Sequence, residues 1–436
     1  MLPHPDFAAH RSALLAELGP DEAVLVFGGA PTLRNGDSEH RYRPDSDVFW
    51  LTGWTDPTVA VFLRPGDEPL TMFVRPKERE REVWEGWRPG PQGAQAEYGA
   101  DVAFPYSELP TELPRLLQGV RALHYAFAAD ADNDVLLMGC VARAAKKAKR
   151  TGMITPETFH HPVKVVHDVR LKKLADEVSV MREAGRISAE AHIAAMRATR
   201  PGATEYAIES VLMDTFLRNG SSGAGYTPIV AGGANATELH YVTNRDTLRD
   251  GDLLLVDAGC EVDYYTADIT RTWPVSGRFS DVQRRVYSHV LAAQEAAIAA
   301  AVPGAAFTDL HDAAVRRLTE GMVELGLLDG PAEDRIEDGT FKRYYMHGTS
   351  HWLGLDVHDV GAYARDGAPR VLQPGMVLTV EPGLYIAADD DQAPEALRGI
   401  GIRIEDDVLV TAQAPVVLTD GVPKHPDAIE AVFAAC

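Results

Sequence analysis

Cysteine is scarce in this 436-residue chain, and the positions of its three cysteines exclude several structural classes. Cys140, Cys260 and Cys436 lie far apart and form no C-x-x-C pair, so neither a zinc finger nor a disulfide scaffold is predicted. Sparse, unpaired cysteines are typical of a reducing compartment. The first residues lack a basic stretch followed by an apolar run, so no secretory signal is predicted. We therefore expect a cytoplasmic location.

Long apolar runs and an excess of basic charge are also missing. No stretch is long enough to span a bilayer, and 64 acidic residues against 42 basic ones give a formal net charge of −22. A strongly acidic surface repels nucleic acid and anionic membranes, so neither is expected as a partner. The length and a hydrophobic content of 45% instead predict a globular protein of two or three domains.

The first third of the chain has the pattern of an α/β domain. Short apolar runs at 23–27, 59–63 and 70–74 are bounded by turn residues and predict strands, while 135–149 predicts a helix. This region contains no phosphate-binding loop and no dinucleotide fingerprint. The segment 160–168 has the composition of a linker. We therefore predict an N-terminal domain of residues 1–167 and a C-terminal domain of residues 168–436.

The C-terminal part repeats its own pattern. Four helices are predicted, at about 171–200, 204–219, 280–303 and 308–325. A Pro-Gly-Ala segment separates the two helices of each pair. Two apolar strands, 251–257 and 375–381, each begin with glycine and end in a carboxylate, at Asp257 and Glu381. This repetition indicates two related α/β halves with a site at their interface.

Two further acids follow these strands. Asp268 lies in the alternating segment 264–273, which we expect to form one strand that pairs with the Asp257 strand. Glu405 lies in a second alternating segment, 401–408, which we also expect to form one strand. Four carboxylates that converge at the ends of buried strands would repel one another strongly. Divalent cations would resolve this conflict, so the pattern predicts a metal site.

Histidines lie between the acidic segments. His347, His351 and His358 fall in one glycine-punctuated run, and His240 follows a glycine-rich segment. The i, i+4 spacing of His347 and His351 is that of a helical zinc site, but the accompanying glutamate is absent and the glycines oppose a helix, so we reject that interpretation. A lone histidine is more often a satisfied polar group. The combination with four acids is what favours a functional site.

Three further residues in these segments are expected to serve the structure rather than the chemistry. Trp352 is expected to belong to the core or to a pocket wall, because a large apolar ring favours burial. Asp406 and Asp407, directly after Glu405, are expected to be solvated turn residues.

Four segments resemble the metal-binding segments of the pita-bread metallopeptidases, namely 253–272, 347–359, 377–385 and 399–407. That family includes methionine aminopeptidase, prolidase and aminopeptidase P. The run 347–359 is most similar to bacterial aminopeptidase P, and 34–39 and 43–47 resemble its N-terminal domain. The resemblance implies an α+β fold, with an α/β N-terminal domain followed by a C-terminal pita-bread domain that has two pseudo-symmetric αβ halves.

The resemblance also implies a dinuclear metal site. Asp268 and Glu405 would bridge both ions. Asp257 would chelate one ion, while His351 and Glu381 would complete the other. The ligand set of one imidazole and four carboxylates suits harder ions, so two Mn²⁺ ions are expected.

The implied activity is hydrolysis of the peptide bond between an N-terminal residue and a following proline, by a hydroxide that bridges the two metal ions. Glu381 would accept the proton. His240 and His358 would contact the substrate carbonyl and the tetrahedral intermediate. His347 would shape the pocket on the proline side. The expected partners are therefore peptides with proline at the second position.

Four other residues are implied by the same resemblance. Arg403 would orient neighbouring groups, and Tyr385 would line the site. Trp84 is either a residue that enters the site of a neighbouring subunit or an ordinary core residue. Asp37 would lie near the site across an interface. A homo-oligomer, dimer or tetramer, is therefore implied.

Three alternatives remain open at this point. A prolidase would cleave only Xaa-Pro dipeptides, although the run Ser350-His351-Trp352 favours aminopeptidase P. A non-catalytic scaffold of the same fold would be expected to have lost metal ligands, and all five are present here. A two-metal phosphoesterase would need a basic phosphate clamp, which does not accompany these carboxylates.

Overall fold

The computed structural model describes residues 4–434. Contacts divide them into two compact units: Pro5–Arg170, and His4 together with residues 171–434. The boundary predicted after residue 167 falls inside the helix Val166–Arg170. The assignment of residues 1–167 and 168–436 as domains stays a prediction. No helix within the described range is long and apolar enough to cross a membrane.

The N-terminal unit is built around a six-stranded sheet of order β6-β5-β4-β1-β7-β8. The strands of this unit are β1 Glu22–Phe27, β2 Leu33–Asn35, β3 Ser38–Glu39, β4 Ala60–Leu63, β5 Leu70–Val74, β6 Val102–Pro105, β7 Ala122–His124 and β8 Thr158–His160. Its helices are α1 Phe7–Glu17, α2 Ser46–Thr52, α3 Arg79–Glu85, α4 Gly90–Glu97, α5 Leu109–Leu116, α6 Ala131–Thr151 and α7 Val166–Arg170. The predicted strands are confirmed as β1, β4 and β5, and the predicted helix lies within α6.

The C-terminal unit alternates long helices with short strands. Its helices are α8 Ala175–Ala198, α9 Glu205–Arg218, α10 Asp281–Ala300, α11 Phe307–Glu324, α12 Ala332–Glu337 and α13 Pro426–Ala434. Its strands are β9 Gly223–Ala224, β10 Ile229–Gly232, β11 Leu253–Asp257, β12 Cys260–Val262, β13 Tyr265–Thr266, β14 Thr270–Pro274, β15 Ala364–Arg365, β16 Ala368–Pro369, β17 Val377–Val380, β18 Gly383–Tyr385, β19 Gly401–Arg403, β20 Asp406–Leu409 and β21 Val416–Val417. The four predicted helices are confirmed as α8 to α11.

Two parts of this unit share one plan. The first combines the pair α8 and α9 with the sheet β10-β11-β14, and the second combines α10 and α11 with β17-β20-β21. The turns between the paired helices match in detail. Gly202, with φ of 86°, donates its N–H to Leu248, and Gly304, with φ of 89°, donates to Leu372. Each leucine N–H donates back to the alanine after that glycine, so the predicted repeat has the same backbone pairing twice.

Candidate metal centre

A cavity of about 430 Å³ in the C-terminal unit gathers most of the predicted site residues. We call it the carboxylate cavity. Nine predicted residues line it: Asp257, Asp268, His351, Glu381, Glu405, His240, His347, His358 and Arg403. Residues more than a hundred positions apart therefore share one concave surface, which is the usual form of a small-molecule site.

Strand ends bring the four carboxylates together. Asp257 is the last residue of β11, and Asp268 lies just before β14, the antiparallel partner of β11. In the second half Glu381 directly follows β17, and Glu405 directly precedes β20, the partner of β17. The Glu405 N–H donates to the Thr270 carbonyl oxygen at 3.0 Å and so joins the two hairpins. Each half therefore contributes two acids to the cavity.

The segment that carries Asp268 is not one continuous strand, so that prediction is wrong. Its first part is β13, which pairs with β12 through a turn at Asp263 and Tyr264, with φ of 48° and 66°. The chain then leaves the ladder until β14 begins. Gly259 permits this path, because a Cβ at this position would lie 1.7 Å from the Ala267 carbonyl oxygen. Asp268 lines the cavity from within this break. The segment 401–408 is also interrupted, because Glu405 lies between β19 and β20, so the prediction of one strand there is wrong as well.

Three of the predicted ligands form a compact donor group. Asp268, His351 and Glu405 each offer a ligand atom, and these atoms lie within 4.8 Å of one another. His351 Nε2 is also 3.7 Å from Glu381 Oε1. Asp257 lines the same cavity, although its Oδ2 accepts a hydrogen bond of 2.6 Å from Arg403. An oxygen-rich set with one imidazole suits divalent cations such as Mn²⁺.

The protonation of these groups reflects a surplus of negative charge. Burial raises the pKa of Glu405 well above its ordinary value, and the charges of Asp268 and Glu381 raise it further. Burial likewise raises the pKa of Glu381 to about 7, although the charge of His351 opposes this shift. For His351, burial lowers the pKa, but bonding to Asp268 outweighs it and raises the pKa to about 9. A divalent cation would neutralise such a site, so the residues fit the predicted group.

Arg403 connects one ligand to a tyrosine and a histidine. Its Nη2 donates to Asp257, and its Nη1 donates to the Tyr385 hydroxyl at 3.1 Å. That hydroxyl is 2.9 Å from His347 Nε2. Burial lowers the pKa of His347 to about 4, and the charge of Arg403 contributes to this shift. The structure thus places the buried Tyr385 directly behind His347 and Arg403, and not among the residues that line the carboxylate cavity.

Tyr226 is a residue that the sequence analysis missed. Its hydroxyl lies 2.6 Å from Asp257 Oδ1 and 2.5 Å from Asp268 Oδ1, so it contacts two predicted ligands at once. The order of residues before β10 could have indicated this contact. Tyr226 comes three residues before Ile229, which pairs with Asp257 across β10 and β11. A tyrosine in the connection just before β10, the strand adjacent to β11, is therefore within reach of the acid.

The remaining cavity histidines lie beside the donor group. The ring of His358 packs edge-on against that of His351, with ring centres 4.5 Å apart. Burial lowers the pKa of His358, and the charge of His351 lowers it further, which favours its neutral form. His240 lines the cavity and is exposed, so its ring is accessible to a ligand there.

Trp84 and Asp37 belong to the N-terminal unit. Trp84 lies on α3 and is 88% exposed, so the core alternative for this residue is wrong. Asp37 lies in the exposed turn between β2 and β3. Their predicted roles at the site of a neighbouring subunit stay predictions. Trp352, in contrast, is fully buried in the C-terminal core, as expected.

The expectation that Asp406 and Asp407 are solvated is wrong. Both are buried, with exposures of 0% and 1%. Asp406 accepts a hydrogen bond of 2.6 Å from Arg271 Nη2 and another of 2.9 Å from Lys424 Nζ. Asp407 accepts the backbone N–H of Asp268 at 3.1 Å. Both acids belong to β20, because pairing with β17 extends the strand through them, and each accepts a hydrogen bond from the first half of the unit.

Two sequence families match this chain. Metallopeptidase family M24 matches residues 179–412, and the aminopeptidase P N-terminal domain matches residues 7–125. The first match covers more than half of the chain and contains every residue of the compact donor group. The chain therefore belongs to metallopeptidase family M24.

Within this family, proteins similar to this chain over nearly its whole length include aminopeptidases P. The Xaa-Pro aminopeptidase of Escherichia coli (strain K12) is 40% identical over 99% of this chain and 98% of its own length. The aminopeptidase PepP of Pseudomonas aeruginosa is 45% identical, with a TM-score of 0.96 over 100% of this chain and 99% of that one. A zinc-substituted E. coli aminopeptidase P with bound product has a TM-score of 0.93 at 40% identity, over 98% of each chain. These similarities confirm the α+β fold with a C-terminal pita-bread region.

Proposed function

We propose that this protein is an Xaa-Pro aminopeptidase, which hydrolyses the peptide bond between an N-terminal residue and a following proline in a metal-dependent reaction. The observation that carries the proposal is the carboxylate cavity, where four acids and His351 lie together with three further histidines. The family matches at both ends of the chain support the same activity. The expected substrates are peptides with proline at the second position.

We propose that two divalent ions, Mn²⁺ by the chemistry of the donors, bind in this cavity. Asp268 and Glu405 would hold both ions, Asp257 would hold one, and His351 and Glu381 would hold the other. The compact donor group supports this assignment, as does the raised pKa of Glu405, which reflects the excess of acidic groups around it. When bound, the ions would polarise the scissile carbonyl and activate the attacking water.

The side chains around the donor group have complementary tasks. Glu381 would take the proton of the attacking water and deliver it to the leaving proline nitrogen, which must gain a proton when the bond breaks. His240 and His358, which line the cavity beside the donor group, would donate hydrogen bonds to the carbonyl oxygen as negative charge develops there.

Recognition of proline would depend on shape, because the Xaa-Pro amide has no N–H to donate. His347 would form the proline-side wall, and its contact with the Tyr385 hydroxyl fixes the ring. Arg403 contacts both Tyr385 and Asp257. As a positioning residue, it would therefore hold Tyr385, behind the pocket wall, and the metal ligand Asp257 at a fixed distance from each other.

Assembly and location are part of the same proposal. We propose a homo-oligomer, a dimer or tetramer, in which Trp84 and Asp37 reach the site of a neighbouring subunit; the exposure of the Trp84 ring supports burial against a second copy. We propose a cytoplasmic location, which is supported by the free thiols of Cys140 and Cys260. The acidic composition supports the absence of nucleic-acid and membrane partners.

The decisive experiment is hydrolysis of Arg-Pro-Pro and Arg-Pro by the chelated protein, before and after addition of Mn²⁺. Arginine release from the tripeptide that requires the metal is the expected result. Cleavage of the dipeptide alone would move the assignment to prolidase. Absence of cleavage of both peptides by a folded, metal-loaded protein would contradict the proposed activity and favour a scaffold.

A further inference from the structure

The backbone around Asp268 and Glu405 is bonded crosswise between the two halves of the C-terminal unit. The Asp268 N–H, from the first half, donates to both carboxyl oxygens of Asp407, from the second half, at 3.1 and 3.3 Å. In return, Arg271 of the first half donates from Nη1 to the carbonyl oxygen of Glu405 in the second half, at 2.5 Å. We call these four residues the clasp.

The clasp is closed by further bonds at Thr270. The Thr270 hydroxyl donates to Glu405 Oε2 at 2.5 Å, and the Thr270 carbonyl oxygen accepts from Arg271 Nη1 at 3.0 Å. The Glu405 N–H also donates to that carbonyl. Both the backbone and the carboxyl group of Glu405 are therefore tied to the strand that follows Asp268.

Two members of the clasp, Arg271 and Asp407, are bonded in turn to buried residues outside it, Asp406 and Thr419. Asp406 accepts hydrogen bonds from Arg271, Gln294 and Lys424. The Thr419 hydroxyl donates to Asp406 Oδ1 at 2.9 Å and accepts the Asp407 N–H at 3.1 Å. Arg271, Asp406 and Thr419 are at most 1% exposed, so water does not compete for these bonds and their geometry is closely defined.

We infer that Arg271 and Asp407 are positioning residues, which set the spacing of Asp268 and Glu405 before the metal ions bind. The argument is geometric. A carboxylate that serves two cations tolerates little displacement, and these two ligands come from different halves whose separation no single strand determines. Partners behind metal ligands commonly change metal affinity about 10- to 100-fold. This inference depends on the proposed metal site and assigns its alignment to residues outside the cavity.

Asp407→Ala tests the inference by calorimetric titration of the chelated protein with Mn²⁺. This variant leaves the Asp268 N–H without its partner, so we expect a dissociation constant at least about tenfold higher than in the unaltered protein. Asp407→Asn keeps an oxygen that accepts the same N–H, so it should restore affinity to within about threefold. Unchanged affinity in a folded Asp407→Ala would overturn the inference.

Leu318→Ala is the matched control for a loss of stability alone. Leu318 is fully buried on α11, so this variant lowers stability without altering the clasp. An equal loss of affinity in Leu318→Ala would assign the effect to stability and overturn the inference. The unaltered protein is titrated in parallel; if it binds no Mn²⁺, the proposed metal site itself fails, whereas normal binding with an unaffected Asp407→Ala refutes only the clasp.

Thr419→Val provides a second variant of nearly equal volume, in case Asp407→Ala does not fold. It removes the hydroxyl that contacts both Asp406 and Asp407 and leaves every cavity residue in place. We expect a loss of Mn²⁺ affinity of about threefold or more. A folded Thr419→Val with a lower melting temperature and an unaltered dissociation constant would show a purely structural role and overturn the inference.

Discussion

Glu405 and Asp406 are consecutive residues with the same charge and similar burial, yet they belong to two different regions of the molecule. Glu405 lines the carboxylate cavity, where burial and three neighbouring acids raise its pKa well above the ordinary value. Asp406 lies behind the clasp, in a hydrogen-bonded network with Arg271, Gln294, Thr419 and Lys424. Burial alone would raise the pKa of Asp406, but the charges of Arg271 and Lys424 outweigh it and lower the pKa.

The difference between the two regions is their supply of cations. In the network, a guanidinium and an ammonium group surround one carboxylate. In the cavity, four carboxylates share Arg403 as the permanently charged lining side chain. Burial of unpaired charge is costly, so a region with such an imbalance is expected to recruit cations from solution, whereas the balanced region serves stability. The comparison teaches that burial of an acid by itself does not indicate its role.

The largest effect is expected for Glu381→Ala, which tests the cavity side of the comparison. Loss of the proton acceptor and of a metal ligand should lower kcat/KM for Arg-Pro-Pro by about 10³-fold or more. The melting temperature of the chelated protein should stay constant or rise, because one of several mutually repelling acids is removed. Activity within tenfold of the unaltered enzyme would contradict the assignment of Glu381.

Asp406→Ala tests the network behind the clasp and should lower the stability of the fold. Removal of this carboxylate leaves the buried Arg271 without its ion-pair partner, so we expect the free energy of unfolding to fall by about 3–5 kcal/mol. Urea denaturation of the chelated protein, followed by circular dichroism, measures this change. The control is Asp427→Ala, since the exposed Asp427–Arg284 pair should contribute about 0–1 kcal/mol. Equal losses in both variants would refute the distinction.

His358→Ala sharpens the comparison within the cavity, because this residue lines the cavity but is not among the predicted ligands. We expect kcat to fall about 10²-fold with the bound metal retained. Steady-state kinetics and metal analysis of the same preparation give the two readouts. Loss of metal in this variant would place His358 among the ligands instead.

The smallest effect is expected for Asp47, an acid of the N-terminal unit whose charge is balanced by Arg170. Burial alone would raise the pKa of Asp47, but Arg170 at 2.5 Å and His167 lower it to about 2. Because the folded value lies below the ordinary 3.8, the stabilising contribution of Asp47 is present above pH 3.8 and disappears as pH falls to about 2.

Melting temperatures across this pH range measure the contribution. Asp47→Asn should lower the melting temperature by a few degrees near pH 6, and the difference from the unaltered protein should shrink toward pH 2. Asp67→Asn, at an exposed loop position of the same unit, should show little difference at any pH. A pH-independent effect of Asp47→Asn would contradict the ion-pair explanation.

The sequence predicted most of the fold because local patterns were strong. The repeated Pro-Gly-Ala segments identified where one helix of each pair ends and the next begins, and both turns are present. The two strand-terminal acids were identified for a similar reason, since a glycine-led apolar run that ends in a carboxylate is unusual. Prediction failed where distant contacts decide the path, as at Gly259, whose approach to Ala267 interrupts the expected strand.

Residue types and their order along the chain thus determined the helices, the repeat and the donor chemistry of the carboxylate cavity, because these follow from local periodicity and from side-chain chemistry. Only the tertiary structure decided which acids share a cavity and which face a cation. Glu405 and Asp406 have the same local pattern, and their surroundings differ because Arg271 and Lys424 arrive from distant segments. The same holds for Tyr226, whose contact with Asp257 and Asp268 depends on strand pairing.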